Sequence, residues 1–491
     1  MFLSSSIVIG QTKKQVKRLE GQKEDFVVFE TSLYELEAEM HRYVSEDSLS
    51  HVLDSLEKKV SQNIYSDFDL YKMYASVMVM FQSGHTGIHP TKHVVRQWML
   101  QKSCLPLDVV VSSGKLYSYL EYKNVSEEAF NRLPKKEQKK HLVPEYAEIV
   151  RIDGLDIKQW MQRIAKFVGS DENHESFRYE LVKDLFEFYR GLTLDSIPEA
   201  SSIEFISGKD TIEMFLQLGY PPAKDIADRI SYSQKQYKEV NKNYGSFKVL
   251  NGKYGYIQFP SFMNAYGPRY DGFLQETFNK IQKKGIKELV IDLRGNTGGV
   301  VQNELMKYFV VAQKDLGEYY IKKPGKPTYK KYLKKNDQYK LNKKNLKLLS
   351  KWEKINGEPY NGIMHANTLD EDMEYYTGKI VVLTDRSTFS AASILASQLK
   401  ELKGAKIVGV PAGGSFYEGV AGTHQIVLPN SQFGVLLNPN YYKSTLKSKR
   451  PYDQSVKEPD VFYQAEYGEP KKVDKKNEQN LLKALKKAFS M

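Results

Sequence analysis

Residues 378–393 read Gly-Lys-Ile-Val-Val-Leu-Thr-Asp-Arg-Ser-Thr-Phe-Ser-Ala-Ala-Ser, and no other stretch constrains the fold as strongly. The run Ile380 to Leu383 is short and wholly apolar, which is the pattern of a strand buried on both faces. A polar turn follows, and then a small-residue helix from Ala391 to Leu399 with Ser390 at its mouth. There the Ser390 hydroxyl stands near the positive end of the helix dipole, beside N–H groups without intrahelical partners. Such a site can present a nucleophile and hold the oxyanion formed when it attacks a carbonyl. The competing reading is that Ser387, Thr388 or Ser390 simply caps the helix.

The same strand–helix alternation continues on both sides. Lys253 to Phe259 predicts a strand stopped by Pro260, Tyr270 to Lys284 an amphipathic helix, and Glu288 to Leu293 an apolar strand. Leu305 to Gln313 predicts another helix; strand 379–384, helix 391–402 and strand 406–410 follow a lysine-rich interruption. Solidly apolar strands alternating with helices predict a parallel-rich sheet covered by helices.

Upstream the period differs. Leu33, Leu36, Met40, Tyr43 and Val44 recur at helical spacing, as do Leu53, Leu56 and Val60. A third helix, from about Asp67 to Phe81, ends at Ser83-Gly84-His85-Thr86-Gly87. From Leu105 the period falls to two, with strands expected near 109–111, 116–120 and 147–152, then a turn at Asp153-Gly154 and a helix over 155–167. Ile203 to Ile206 reads as a strand and Asp225 to Val240 as a helix.

At 491 residues the chain divides into several units. Its net charge of +12 is local: residues 314–354 hold fourteen lysines against four acidic residues, so +10 of it lies there. These lysines lack a spacing that would align them on one face, which favours a solvated insertion over a nucleic-acid surface. No run of eighteen apolar residues occurs, so no membrane span is expected. Cys104 is the only cysteine, and no Cys/His cluster has zinc spacing. His85, His89 and His93 mimic a helical metal face, but Pro90 interrupts it, and no metal site is expected. Residues 1–10 form a short apolar run before an abruptly charged segment; this resembles the later part of a secretory signal and suggests a periplasmic or extracellular protein.

Asp292-Leu-Arg-Gly-Asn-Thr-Gly-Gly299 closes a buried strand with a glycine-rich turn. Ligand sites in open α/β sheets lie at such strand ends, where glycines let backbone N–H groups approach a ligand. The alternative is a tight turn braced by an Asp292–Arg294 pair.

That motif, then Thr388-Phe-Ser-Ala-Ala-Ser393, then Ile407-Val-Gly-Val-Pro-Ala-Gly-Gly414, in this order, resembles the tail-specific (C-terminal processing) serine protease family. The likeness spans roughly 246–465 and extends more weakly to Ser83-Gly-His-Thr86 and Arg151-Ile-Asp-Gly154. It implies an α/β protein with a ClpP/crotonase-like catalytic core, an N-terminal helical region and a small PDZ-like α/β module. The implied division is a truncated signal segment at 1–23, a helical region at 24–100, a PDZ-like module at 101–200 and a connecting segment at 201–245. The peptidase core then covers 246–465, with a lysine-rich insertion at 314–365, and a basic C-terminal helix or tail occupies 466–491. Ser390 matches the nucleophile, and the N–H groups of Gly299 and Ala391 match the oxyanion hole. The lysine that the processing branch uses as base is missing: its position falls near Ser415, and no lysine occurs between Lys406 and Lys443. The pattern is closer to the tricorn-core and nisin-resistance branch, in which His85 matches the base. Asp453 falls about where that branch places the acidic partner; Glu401 and Asp385 are the other choices, and Ser83 is a second hydroxyl beside the base. The resemblance implies peptide or protein substrates and no cofactor. A non-catalytic ligand-binding relative and an acyl-transfer enzyme of the wider fold are the alternatives.

Overall fold

The computed structural model describes residues 12–99, 104–183, 185–219, 244–263, 268–299, 303–309, 317–321, 328–333, 362–365, 375–444, 458–468 and 470–491. The leader-like residues 1–11 and the helix expected over 225–240 lie outside them. The chain forms two compact units. One comprises Met1–Gln97, Tyr320–Ile363 and Val420–Tyr441; the other comprises Trp98–Tyr319, Met364–Gly419 and Tyr442–Met491.

The first unit is built on helices Lys13–Leu36, Glu46–Gln62 and Asp67–Met78. Thr12, Ser45 and Ser66 start them as side-chain N-caps, Thr12 in a reciprocal box with Gln15. Their buried stripes, including Phe29 and Leu33, Leu49 and Leu53, and Leu70 and Tyr74, follow the predicted helical spacing. The first helix stops sooner than its apolar spacing predicts. Glu37 turns extended and Glu39 takes a positive φ of 51°, so Met40 and Val44 are buried from a turn and not from a helix. A three-stranded antiparallel sheet, in the order Gly87–His89, Gly434–Leu437, His424–Val427, completes the unit. The first helix fastens two loops: the buried Asp25 carboxylate accepts the N–H groups of Asn430 and Ser431, each at 2.8 Å, and Glu35 accepts the Thr328 hydroxyl at 2.8 Å.

The second unit begins with an antiparallel sheet in the order Val109–Ser112, Lys115–Ser118, Glu148–Ile152, Ala200–Ser207, Asp210–Gln217. Asp153 and Gly154, with φ of 51° and 73°, make the expected tight turn, and helix Ile157–Ile164 follows it. The last two strands pair within this sheet, so it draws in residues that the sequence leaves in a connecting segment.

The rest of the unit is a six-stranded sheet, in the order Val461–Phe462, Lys406–Gly409, Lys379–Thr384, Glu288–Asp292, Tyr254–Gln258, Ser246–Leu250. All neighbours are parallel except the outermost pair, 246–250 with 254–258. Side chains alternate across it. Ile257, Ile291, Val382 and Ile407 face helices Pro268–Lys283 and Ala391–Lys403. Val290, Val381, Leu383 and Val408 face helix Pro470–Ser490 through Leu481, Leu485 and Phe489. The basic C-terminal segment is therefore the cover of the sheet's second face, and the apolar strands are buried on both sides as expected. Of the helix expected over 305–313, the described part is one turn, Asn303–Met306.

Candidate active site

The glycine-rich turn grows from the carboxyl end of strand Glu288–Asp292. Asp292 is fully buried and gripped at two points by Arg294, Nε to Oδ1 at 2.9 Å and Nη2 to Oδ2 at 2.6 Å. The Tyr256 hydroxyl donates to the same carboxylate. Burial acts to lower the Arg294 pKa, but the hydrogen bonds and charge of Asp292 outweigh it and raise the pKa. The pair is structural, and it braces the turn that follows.

Asn296 ties that turn to its surroundings. Its Nδ2 donates to the Phe259 carbonyl at 2.9 Å, its Oδ1 accepts the Gly298 N–H at 2.9 Å, and its own carbonyl accepts the Phe389 N–H at 3.0 Å. A second tie comes from Asp385, whose carboxylate accepts the Gly295 N–H at 3.0 and 3.1 Å and the Ser387 N–H at 3.0 Å. Burial pushes the Asp385 carboxyl up to about 6, against the lowering effect of the Gly295 hydrogen bond. Thr388 adds a third: its hydroxyl donates to the Leu293 carbonyl at 3.0 Å and accepts the Asp385 N–H at 2.9 Å. The glycine turn and the 385–390 turn are thus laced into one rigid piece.

Ser390 sits where the two turns meet. Its φ of 53° and ψ of −126° match the first central position of a type II′ turn, a conformation that favours glycine. Its side chain makes no capping hydrogen bond. The hydroxyls of its neighbours are engaged, Thr388 as above and Ser393 with the carbonyls of Ser390 and Ser415 at 2.8 and 2.9 Å. The N-cap reading therefore does not describe Ser390, which is half-buried with no hydrogen bond to its hydroxyl among the described residues.

Two glycines, Gly298 and Gly414, make room for it. Gly298 has φ 95°, and a Cβ there would lie 2.7 Å from both the Phe389 carbonyl oxygen and Ser390 Cβ. A Cβ on Gly414 would lie 2.6 Å from Ser390 N. Gly299, with φ 139°, is bridged to Phe262, a pairing that uses the Gly298 carbonyl at 3.0 Å and leaves the Gly299 N–H out. Neither the Gly299 N–H nor the Ala391 N–H has a hydrogen-bond partner among the described residues. Ser390, Ala391 and the Gly298–Gly299 pair are brought together; an added Cβ would first meet Ser390 at Gly298 and the Phe262–Met263 backbone at Gly299, a detail the paired glycines do not reveal in sequence.

At the position where a lysine base would stand, Ser415 donates its N–H to Asp171 Oδ2 at 2.9 Å and its hydroxyl to Glu172 Oε1 at 3.0 Å. Phe177 stacks on Phe389 with centroids 3.8 Å apart and planes 3° from parallel. Residues 171–177 therefore support the nucleophile turn from behind, and no local motif signals it. Glu401 accepts the Tyr417 hydroxyl at 2.8 Å.

His85 belongs to the first unit and is half-buried. The Ser83 hydroxyl closes its turn by accepting the N–H groups of His85 at 3.0 Å and Thr86 at 3.3 Å. His89 ends a strand and His93 lies in the helix that starts at Lys92, so the three histidines share no helical face. Among the described residues no group of His, Cys, Asp and Glu could hold a metal ion, and no helix is long and apolar enough to cross a membrane. Asp453 lies outside the described residues.

Residues 253–442 match the family model for peptidase family S41. In fold the chain is similar to the crystal structure of mature CPAF, at 13% identity and a TM-score of 0.54 over 96% of this chain and 97% of that one. It is likewise similar to mature CPAF complexed with lactacystin, at 14% identity and a TM-score of 0.54 over 96% of this chain and 98% of that one. No curated protein sequence matches.

Proposed function

We propose that this chain, a serine-type peptidase with a peptidase family S41 region at residues 253–442, cleaves peptide bonds through Ser390 with His85 as its general base. The observation that carries the proposal is the Ser390 turn: a hydroxyl without a capping hydrogen bond on a strained backbone, packed against Gly298 and followed by an Ala391 N–H that has no partner among the described residues. Strain of this kind is stored where the surrounding structure over-determines it, commonly at catalytic sites.

In the proposed reaction Ser390 Oγ attacks the peptide carbonyl carbon while His85 takes the hydroxyl proton. The oxyanion receives hydrogen bonds from the N–H groups of Gly299 and Ala391, each such donor contributing roughly 3 kcal/mol to the transition state. His85 then returns the proton to the departing amine, leaving an acyl-Ser390 ester. Water, deprotonated by His85, releases the second product and restores the hydroxyl. A neutral histidine has the basicity to do this near neutral pH. Asp453 is the proposed acceptor that holds the His85 tautomer.

A fluorophosphonate probe tests the reading. Labelling of the wild type that is lost in Ser390→Ala supports the nucleophile, and loss of the acylation rate in His85→Ala supports the base. Labelling that survives Ser390→Ala, or a rate unchanged in His85→Ala, overturns the corresponding role. A chain that binds an apolar ligand and never labels would be a non-catalytic relative.

A further inference from the structure

The turn carrying His85 is fastened by a closed ring of buried polar groups that the proposed chemistry does not itself use. Glu37, Thr86 and Asn438 are 1%, 3% and 0% exposed. The Thr86 hydroxyl donates to Glu37 Oε1 at 2.6 Å, the Asn438 N–H donates to Glu37 Oε2 at 2.9 Å, and Asn438 Nδ2 donates to Thr86 Oγ1 at 3.0 Å. The ring is fixed at each corner. Glu37 ends the first helix, and its N–H donates to the Leu33 carbonyl at 2.9 Å. Asn438 follows strand Gly434–Leu437, accepts the Ala38 N–H at 2.7 Å on its carbonyl and accepts the Thr423 hydroxyl at 2.6 Å on Oδ1. Thr86 precedes strand Gly87–His89, which pairs with that same strand in the register Gly87↔Leu436.

A carboxylate buried this deeply is costly unless hydrogen-bonded. Here both oxygens are, and the donors come from the residue after His85 and from the end of the neighbouring strand. We infer that Glu37, Thr86 and Asn438 are positioning residues for the proposed base, holding the Thr86 backbone, and with it His85, in one place through a carboxylate anchored on the helix end. The inference rests on the His85 reading. A carboxylate is suited to this task because it accepts at both oxygens, so one side chain gathers the turn and the strand end.

The test uses the full chain and the acylation kinetics of a fluorophosphonate probe. Thr86→Val keeps the shape but removes both the donor to Glu37 and the acceptor for Asn438. A misplacement of about 1 Å costs about 100-fold in rate. Thr86→Val is therefore expected to lower the limiting acylation rate by about 10- to 100-fold with the probe's half-saturation concentration unchanged, and Thr86→Ser to restore it. In a His85→Ala background Thr86→Val is expected to add no further loss. Glu37→Gln, which retains one acceptor, provides an independent variant with a smaller loss if Thr86→Val does not fold. A Thr86→Val rate equal to wild type, or an equal loss with and without His85, overturns the positioning role while leaving His85 as base. An unchanged rate in His85→Ala instead removes the base assignment on which the inference rests.

Discussion

Gly298 and Ser390 are packed so closely that no side chain fits between them: a methyl on the Gly298 α-carbon would stand 2.7 Å from Ser390 Cβ. Gly298 also holds a φ of 95°, which L-residues rarely adopt. Gly298→Ala is expected to displace Ser390 and cut acylation by about 100-fold, the scale of a 1 Å misplacement. Strain at such a backbone position adds a stability loss of about 1–3 kcal/mol. Probe kinetics and thermal melting check the two effects separately. Full activity in Gly298→Ala would rule out this contact as a constraint on the nucleophile.

Asp385 carries the pH prediction. An unfolded aspartate titrates near pH 3.9, about two units below the value of about 6 reached in the fold. The folded state therefore holds its proton more strongly. The stability from this group is fully present below about pH 4 and is lost as pH rises through about 6. Wild type is expected to lose melting temperature relative to Asp385→Asn between pH 4 and 7. A difference that stays flat across that interval would contradict the raised value.

Arg294 is the counter-charge of a fully buried carboxylate. Arg294→Met removes the counter-charge of Asp292 and leaves its carboxylate only neutral donors, the Tyr256 hydroxyl and the backbone N–H of residue 294, and is expected to destabilise the chain by about 3–5 kcal/mol. Replacing both residues with apolar ones is expected to cost less than this single change. Denaturant unfolding of the single and double variants measures the difference.

Phe177 supports the nucleophile turn through its stack on Phe389, the residue before Ser390. Phe177→Ala is expected to cost about 3–5 kcal/mol of stability as a large-to-small change in a buried site. It is also expected to slow Ser390 acylation, whereas a truncation of equal stability cost at Phe188, a fully buried residue of helix Phe186–Leu192, is not. Comparing the two variants at matched stability separates support of the turn from general loosening.

The parts legible in sequence share one property: their signal is local. Strands Lys379–Thr384 and Lys406–Gly409 appear where they are expected because both their faces are apolar, and that pattern needs no partner to be recognised. The end of the first helix is misjudged because Met40 and Val44 keep a helical spacing while the chain has already turned at Glu37. Pairing of Ala200–Ser207 with Glu148–Ile152 is a long-range event, so although Ile203 to Ile206 reads as a strand, nothing local assigns it to the same sheet as 147–152. In the C-terminal segment abundant lysines hide the stripe of Leu481, Leu485 and Phe489 that covers the sheet.

For Ser390 the division is sharp. Residue order alone determines that a serine stands between a buried strand and a small-residue helix, with a glycine-rich turn at the end of a second strand. Tertiary structure decides that its backbone is strained, that its hydroxyl makes no capping hydrogen bond, and that Gly298 leaves no room for a side chain beside it. The physical reason is that dihedral strain and sub-contact packing arise only where separate segments meet. Asn296 and Asp385 act across such a meeting, joining turns about ninety residues apart in the chain.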